Sequence, residues 1–149
     1  MIHPLHLARW GWLVLCISLL AGCDSRSAGN SADDLQQWQG TWKMTATTYE
    51  GAPQSADMAW VVKGNQYFIR MNGQLGVDPY MFKLDADKKQ IDVFHHDTPP
   101  GTFGGSWKGI YKIDGDTLTV CYDLAGLHYP DAFAASAGSR QVLYEFRRE

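Results

Sequence analysis

The sequence predicts an all-β domain of about eight strands with a short N-terminal helical turn, an up-and-down antiparallel barrel or a sandwich. Three observations carry that expectation. Beyond Gly40 apolar and polar residues alternate with a period of two instead of about 3.6. The alternating segments are short, and turn dipeptides such as Gly64-Asn65, Asn72-Gly73 and Asp114-Gly115 separate them. No later segment carries a sustained helical pattern. Closing such a chain into a barrel leaves no long edge strand open to aggregation.

The chain of 149 residues is 45% hydrophobic and 19% charged, which suits one globular domain and not a disordered polymer. Its net charge of -3 offers nothing to a phosphate backbone, so a nucleic-acid partner is excluded. The opening segment MIHPLHLARW has one Arg and no acid, and it leads into an apolar run from Trp10 to Ala21. That run falls short of the roughly 20 residues a membrane span needs but fits the apolar region of a secretory signal. It ends in Leu20-Ala21-Gly22-Cys23, which resembles a bacterial lipobox. The resemblance implies that residues 1–22 are removed and that Cys23 carries a diacylglyceryl group on sulfur and an acyl chain on its new amino group. The expected partner is therefore a membrane, held through the N-terminal lipid, with the domain in the bacterial cell envelope facing the periplasm or the cell surface. Asp24 is the residue type that favours inner-membrane retention in enterobacterial lipoproteins, a rule that differs between bacteria, so inner and outer membrane both stay open. Residues 24–33, DSRSAGNSAD, contain no large apolar side chain and read, with Cys23 and Asp34, as a flexible tether over 23–34. The barrel domain then occupies residues 35–149.

The elements follow in order. Ser31-x-x-Asp34 is a relative of the capping box and opens one or two helical turns through Trp38. In Thr41–Thr48, Trp42, Met44 and Ala46 alternate with Thr41, Lys43, Thr45 and Thr47. Met58–Lys63 and Gln66–Met71 form a hairpin about Gly64-Asn65. A looser strand follows around Tyr80, Phe82 and Leu84, and then Gln90–His95 with Ile91 and Val93 inward. Residues 97–106, DTPPGTFGGS, make a long loop. The clearest hairpin puts Trp107, Gly109, Tyr111 and Ile113 on one face, turns at Asp114-Gly115, and returns with Leu118, Val120 and Tyr122. A second long connection, residues 124–139, is expected to hold one helical turn at Asp131–Ala135 before the last strand, Gln141–Arg147.

Gly40-x-Trp42 at the start of the first strand resembles the Gly-x-Trp signature of lipocalins. In lipocalins a basic residue of the last strand packs over that Trp and closes the barrel base, which here implies Arg147 or Arg148. The run from Gly109 to Cys121, Pro130-x-x-Phe133 and Gly138-Ser139 closely resemble an uncharacterised lipocalin-like domain family expanded in planctomycetes. Leu35-Gln36, Gln39–Trp42, Gly51-x-Pro53 and Ile91-Asp92 match it too, so the resemblance spans residues 35–149. It implies a fold and no reaction. The family's Arg before Pro is Tyr129 here, and the segment 94–106 also departs from the family pattern.

Few residues are candidates for chemistry. His95, His96 and Asp97 are adjacent and His128 lies in the other long loop, but neighbours on a strand point to opposite faces, so no metal site is expected. Cys121 has no base beside it, and there is no Gly-x-Ser-x-Gly elbow, so no catalytic residue is assigned. Asp114 and Asp116 flank Gly115 as turn residues and lack the further oxygens of a calcium loop. Three cysteines without a CxxC pair leave Cys121 unpaired in the domain. Trp60, Trp107, Tyr111 and Tyr144 are the large inward residues that would line a ligand pocket. The expected function is non-catalytic binding of a small apolar or amphiphilic ligand, without a cofactor. The alternative is a protein-binding inhibitor or immunity protein against an envelope-acting enzyme.

Overall fold

Gln39 alone separates a helix, α1 (Ser31–Trp38), from the first strand, β1 (Gly40–Tyr49), and Gly40, with a φ of 107°, makes the change of direction. The computed structural model describes residues 31–95 and 106–149. Cys23, His96, Asp97 and most of the Pro- and Gly-rich loop lie outside them.

Beyond β1 come β2 (Ala52–Gln54), β3 (Met58–Lys63), β4 (Gln66–Met71), β5 (Gln74–Leu75), β6 (Tyr80–Asp85), β7 (Gln90–His95), β8 (Ser106–Asp114), β9 (Thr117–Asp123) and β10 (Gln141–Arg148). Eight of them pair antiparallel in the order β10-β9-β8-β7-β6-β4-β3-β1, and β1 pairs with β10 to close the barrel. The two short strands lie off this cycle at the rim: β2 folds back on β1 and β5 on β4. Each follows a turn whose two central residues have positive φ, Glu50-Gly51 and Asn72-Gly73, the backbone that matches the twist of a tight hairpin. Strands of two or three residues leave no period to read, which is why the alternation did not reveal them.

The ends of the barrel differ. The closed end carries α1, the tight turns after β3, β6 and β8, and both chain ends of the described domain. The open end carries the connections 50–57, 72–79 and 124–140. At the closed end Trp42 is fully buried and its indole N–H donates to the carbonyl of Trp38 at 2.7 Å. Arg148 lies over the Trp42 ring, 4.1 Å from its centroid, and its guanidinium donates to the carbonyls of Gln39 at 2.6 Å and Gln37 at 2.8 Å. These are carbonyls at and beyond the end of α1, where no intrahelical donor remains. Of the two arginines implied by the lipocalin signature, Arg148 takes this place and Arg147 is exposed.

Several local features differ from the alternation. In β1 the register with β10 shifts between Met44 and Ala46, a bulge at Thr45. The extra residue reverses the phase, so Thr47 is buried and Ala46 only half-buried. The helix starts at Ser31, where the relative of the capping box opens it, so residues 31–34 at the end of the expected tether are helical and Asp34 is buried within the helix. Asp131–Ala135 hold no helical turn: residues 131–133 form bends and Ala134 and Ala135 are irregular. Carbonyls there are used across the fold, Ala135 by the Gly51 amide at 2.6 Å and Ala134 by the Cys121 thiol at 3.3 Å. That loop covers Cys121 completely, although its side chain lies on the outward phase of β9.

Arg148→Ala removes two charge-assisted bonds and the ring contact, and a loss of about 2 kcal/mol is expected in urea unfolding. Arg147→Ala should stay within about 0.5 kcal/mol of the parent. Arg148→Lys should recover only part of the loss, because one ammonium does not reproduce the planar fork on two carbonyls. Cys121 should resist alkylation in the native protein and react on unfolding, since burial excludes reagent and raises the thiol pKa.

Candidate functional site: an aromatic barrel with an open mouth

A column of rings fills the barrel from the closed end. Trp38 packs against Phe82, Tyr111 and Trp60, with centroid separations of 5.1, 5.5 and 6.4 Å. Above it Trp60 lies 4.3 Å from Phe146 and stacks on Tyr67 at 4.5 Å. These side chains are almost wholly shielded from water, so this part of the interior is packed core.

At the base, Asp34 of α1 accepts a bond from the Tyr111 hydroxyl and a 2.6 Å bond from Lys89 Nζ. A buried carboxylate needs such donors. Tyr111 is thus an anchor of α1, lining only a hollow of about 150 Å³ at the closed end, and the structure does not bring it to the mouth. Burial, and then its bond to Asp34, push the Tyr111 pKa far above the usual tyrosine range. A hollow of about 510 Å³ also lies at the closed end, beside α1 and β6, with Leu35, Phe82 and Leu84 in its wall. Ser31, Asn65 and Lys83 also line it.

The upper layer is looser. Tyr122 is placed by Gly109, its register partner: a Cβ at Gly109 would sit 2.5 Å from the Tyr122 ring, so only glycine lets that ring lie across β8. Tyr144 is half-buried and touches both Trp60, at 5.6 Å, and Tyr122, at 6.3 Å. Trp107 stacks on Tyr80 at 5.4 Å, and Tyr80 meets the edge of His95 at 5.1 Å. Beside Tyr144 a pocket of about 320 Å³ opens at the mouth, walled by Met44, Met58, Leu124 and Val142, with Thr47 and Gln54 as polar groups. A second hollow of about 450 Å³ lies where β4 and β6 pair over only two residues, between Ile69, Met71, Tyr80 and His95.

Of the residues the sequence singled out, Trp60 is buried beneath the mouth, Tyr144 lines it, and Trp107 lies on the far side of Tyr122. Met44, Met58 and Val142 were missed as pocket residues, although each lies on the inward phase of its strand. His95 and His128 stand apart: His128 is exposed in the 124–140 connection, its amide held by Asp123. Among the described residues no group of three or more His, Cys, Asp or Glu gathers as a metal site would require.

Among the described residues three buried side-chain polar atoms have no hydrogen-bond partner: Trp38 Nε1, Trp60 Nε1 and the Tyr122 hydroxyl. The Tyr122 hydroxyl faces that of Tyr67 without a bond of good geometry. Burial raises the pKa of Tyr67, Tyr122 and Tyr144, so all three stay protonated at neutral pH.

No family model matches the chain, and no curated protein matches it. Among solved structures it is similar to an uncharacterized protein from Bacteroides eggerthii, at 13% identity and a TM-score of 0.51. That likeness covers 75% of this chain and 99% of the other, and it concerns the fold alone.

Tyr111→Phe should destabilise the fold by about 1 to 3 kcal/mol, because a buried carboxylate loses a donor. Tyr111 holds its proton more tightly folded than unfolded, so its contribution is complete below about pH 10 and fades as pH climbs toward the raised pKa. The alkaline fall in stability should therefore be shallower in the variant, measured by urea unfolding across pH. Tyr122→Phe should leave stability unchanged or raise it, since its hydroxyl has no partner to lose.

Proposed function

We propose that the chain is a membrane-anchored envelope lipoprotein whose barrel mouth binds a small apolar or amphiphilic ligand without catalysing its conversion. The mouth pocket carries this reading: about 320 Å³, walled by methionine, leucine, valine and tyrosine with a few polar groups at its edge. Its volume lies at the lower end of the range for small-molecule sites, and the apolar walls would supply affinity through area removed from water. The aromatic column beneath it limits depth, so the ligand is one short chain or a single ring system. The anchor rests on the lipobox-like Leu20-Ala21-Gly22-Cys23.

A second reading, a protein-binding inhibitor or immunity role, is favoured by the rim. Met71, Leu75 and Val77 are 44%, 50% and 86% exposed beside one another in sequence.

Native mass spectrometry of the protein purified from its own membranes should show a co-purifying small molecule; a stoichiometric protein in its place would favour the second reading. The neutral fluorophore N-phenyl-1-naphthylamine should bind the full chain, and Met58→Arg should weaken it at least about tenfold by placing a charge in the apolar wall. Turnover of an envelope substrate by the purified protein would overturn both readings. Cys23→Ser should abolish incorporation of a labelled fatty acid and release the protein from the membrane fraction.

A further inference from the structure

We infer that the mouth pocket continues past Tyr144 to a pair of buried hydrogen-bond donors, Trp60 Nε1 and the Tyr122 hydroxyl, and selects amphiphiles whose inward end is an uncharged acceptor such as a ketone, ester or ether oxygen. This rests on the proposed binding at the mouth and specifies its ligand chemistry.

Four observations meet here. Trp60 and Tyr122 are 2% and 1% exposed, yet Trp60 Nε1 has no partner and the Tyr122 hydroxyl meets only that of Tyr67, without a bond of good geometry. Nearly all buried polar groups in folded proteins are bonded, so two orphans on neighbouring rings, centroids 6.2 Å apart, call for an acceptor. Indole N–H only donates, and the phenol donates once its proton is free to turn, so the missing group is an acceptor. Tyr144 belongs both to the pocket wall and to this ring cluster, touching Trp60 and Tyr122, and it is only half-buried. Rotation of that one side chain would join pocket and donors. Finally, none of the residues walling the mouth pocket is charged, and the rings around Trp60 and Tyr122 are all aromatic. A carboxylate or ammonium driven into this layer would lose its water without gaining a counter-charge, whereas a carbonyl oxygen would gain two donors. Trp38 Nε1, the third orphan, lies below Trp60 at the closed end and is out of reach of the mouth.

The test uses the full chain with two probes of equal length, nonan-2-one and nonanoate, in titrations followed by tryptophan fluorescence and by the indole proton of Trp60, assigned through Trp60→Phe. Nonan-2-one should bind at least tenfold more tightly and move the Trp60 indole resonance. Tyr122→Phe, which keeps the ring, should weaken the ketone about three- to tenfold and leave nonanoate unaffected. If the ketone binds with neither a Tyr122→Phe effect nor an indole shift, the donors serve an internal water and the inference is overturned, while binding at the mouth stands. Equal affinity for both probes overturns it as well. If neither these probes nor N-phenyl-1-naphthylamine binds, the proposed function falls together with the inference.

Discussion

Arg148 is where the first strand, the last strand and the helix are held to one another. Its planar cation lies on Trp42 of β1, its two arms take the orphan carbonyls of Gln37 and Gln39 behind α1, and its own strand β10 is paired to β1 along the closure. Barrel closure joins segments about a hundred residues apart in sequence, so it carries a large entropic cost, and contacts made only in the closed state must offset it. The Arg148 fork provides several such contacts at one point. It also satisfies carbonyls that burial of the helix end would otherwise leave without donors.

With the base locked in this way, α1 acts as a plug. Trp38 and Asp34 project from one short helix to complementary partners: the first enters the ring column, and the second receives Tyr111 and Lys89. A helix of eight residues has little stability of its own in water. Its persistence here comes from these tertiary contacts, and the base they seal leaves the opposite end as the accessible end of the interior.

Packing then divides the barrel into a filled lower part and a shallow upper one. The lower rings are close-packed, although Trp38 Nε1 has no partner, while the upper layer combines a half-buried Tyr144 and a short β4–β6 seam, with the unpartnered Trp60 Nε1 and Tyr122 hydroxyl where the two layers meet. Unsatisfied donors beneath an apolar pocket are costly in an empty protein and useful in an occupied one. On the proposed reading, the uncharged wall favours a neutral occupant.

The sequence by itself determined the number and order of the barrel strands, because a period of two and a turn dipeptide are local signals that survive without a partner. It also placed Trp42, Trp60, Trp107, Tyr111 and Tyr144 on inward faces. Tertiary structure alone decided what each of those rings does. The bulge at Thr45 arises from pairing with β10 and reverses the phase that Ala46 and Thr47 have in the sequence. Cys121 is buried by a loop that contacts it, not by its strand. Tyr111 and Tyr122 occupy the same inward phase of neighbouring strands, yet one meets Asp34 and the other meets no partner. Which polar atom finds a partner depends on the stagger of strands and the position of the helix plug. Those are properties of the closed barrel, and no local pattern of residues encodes them.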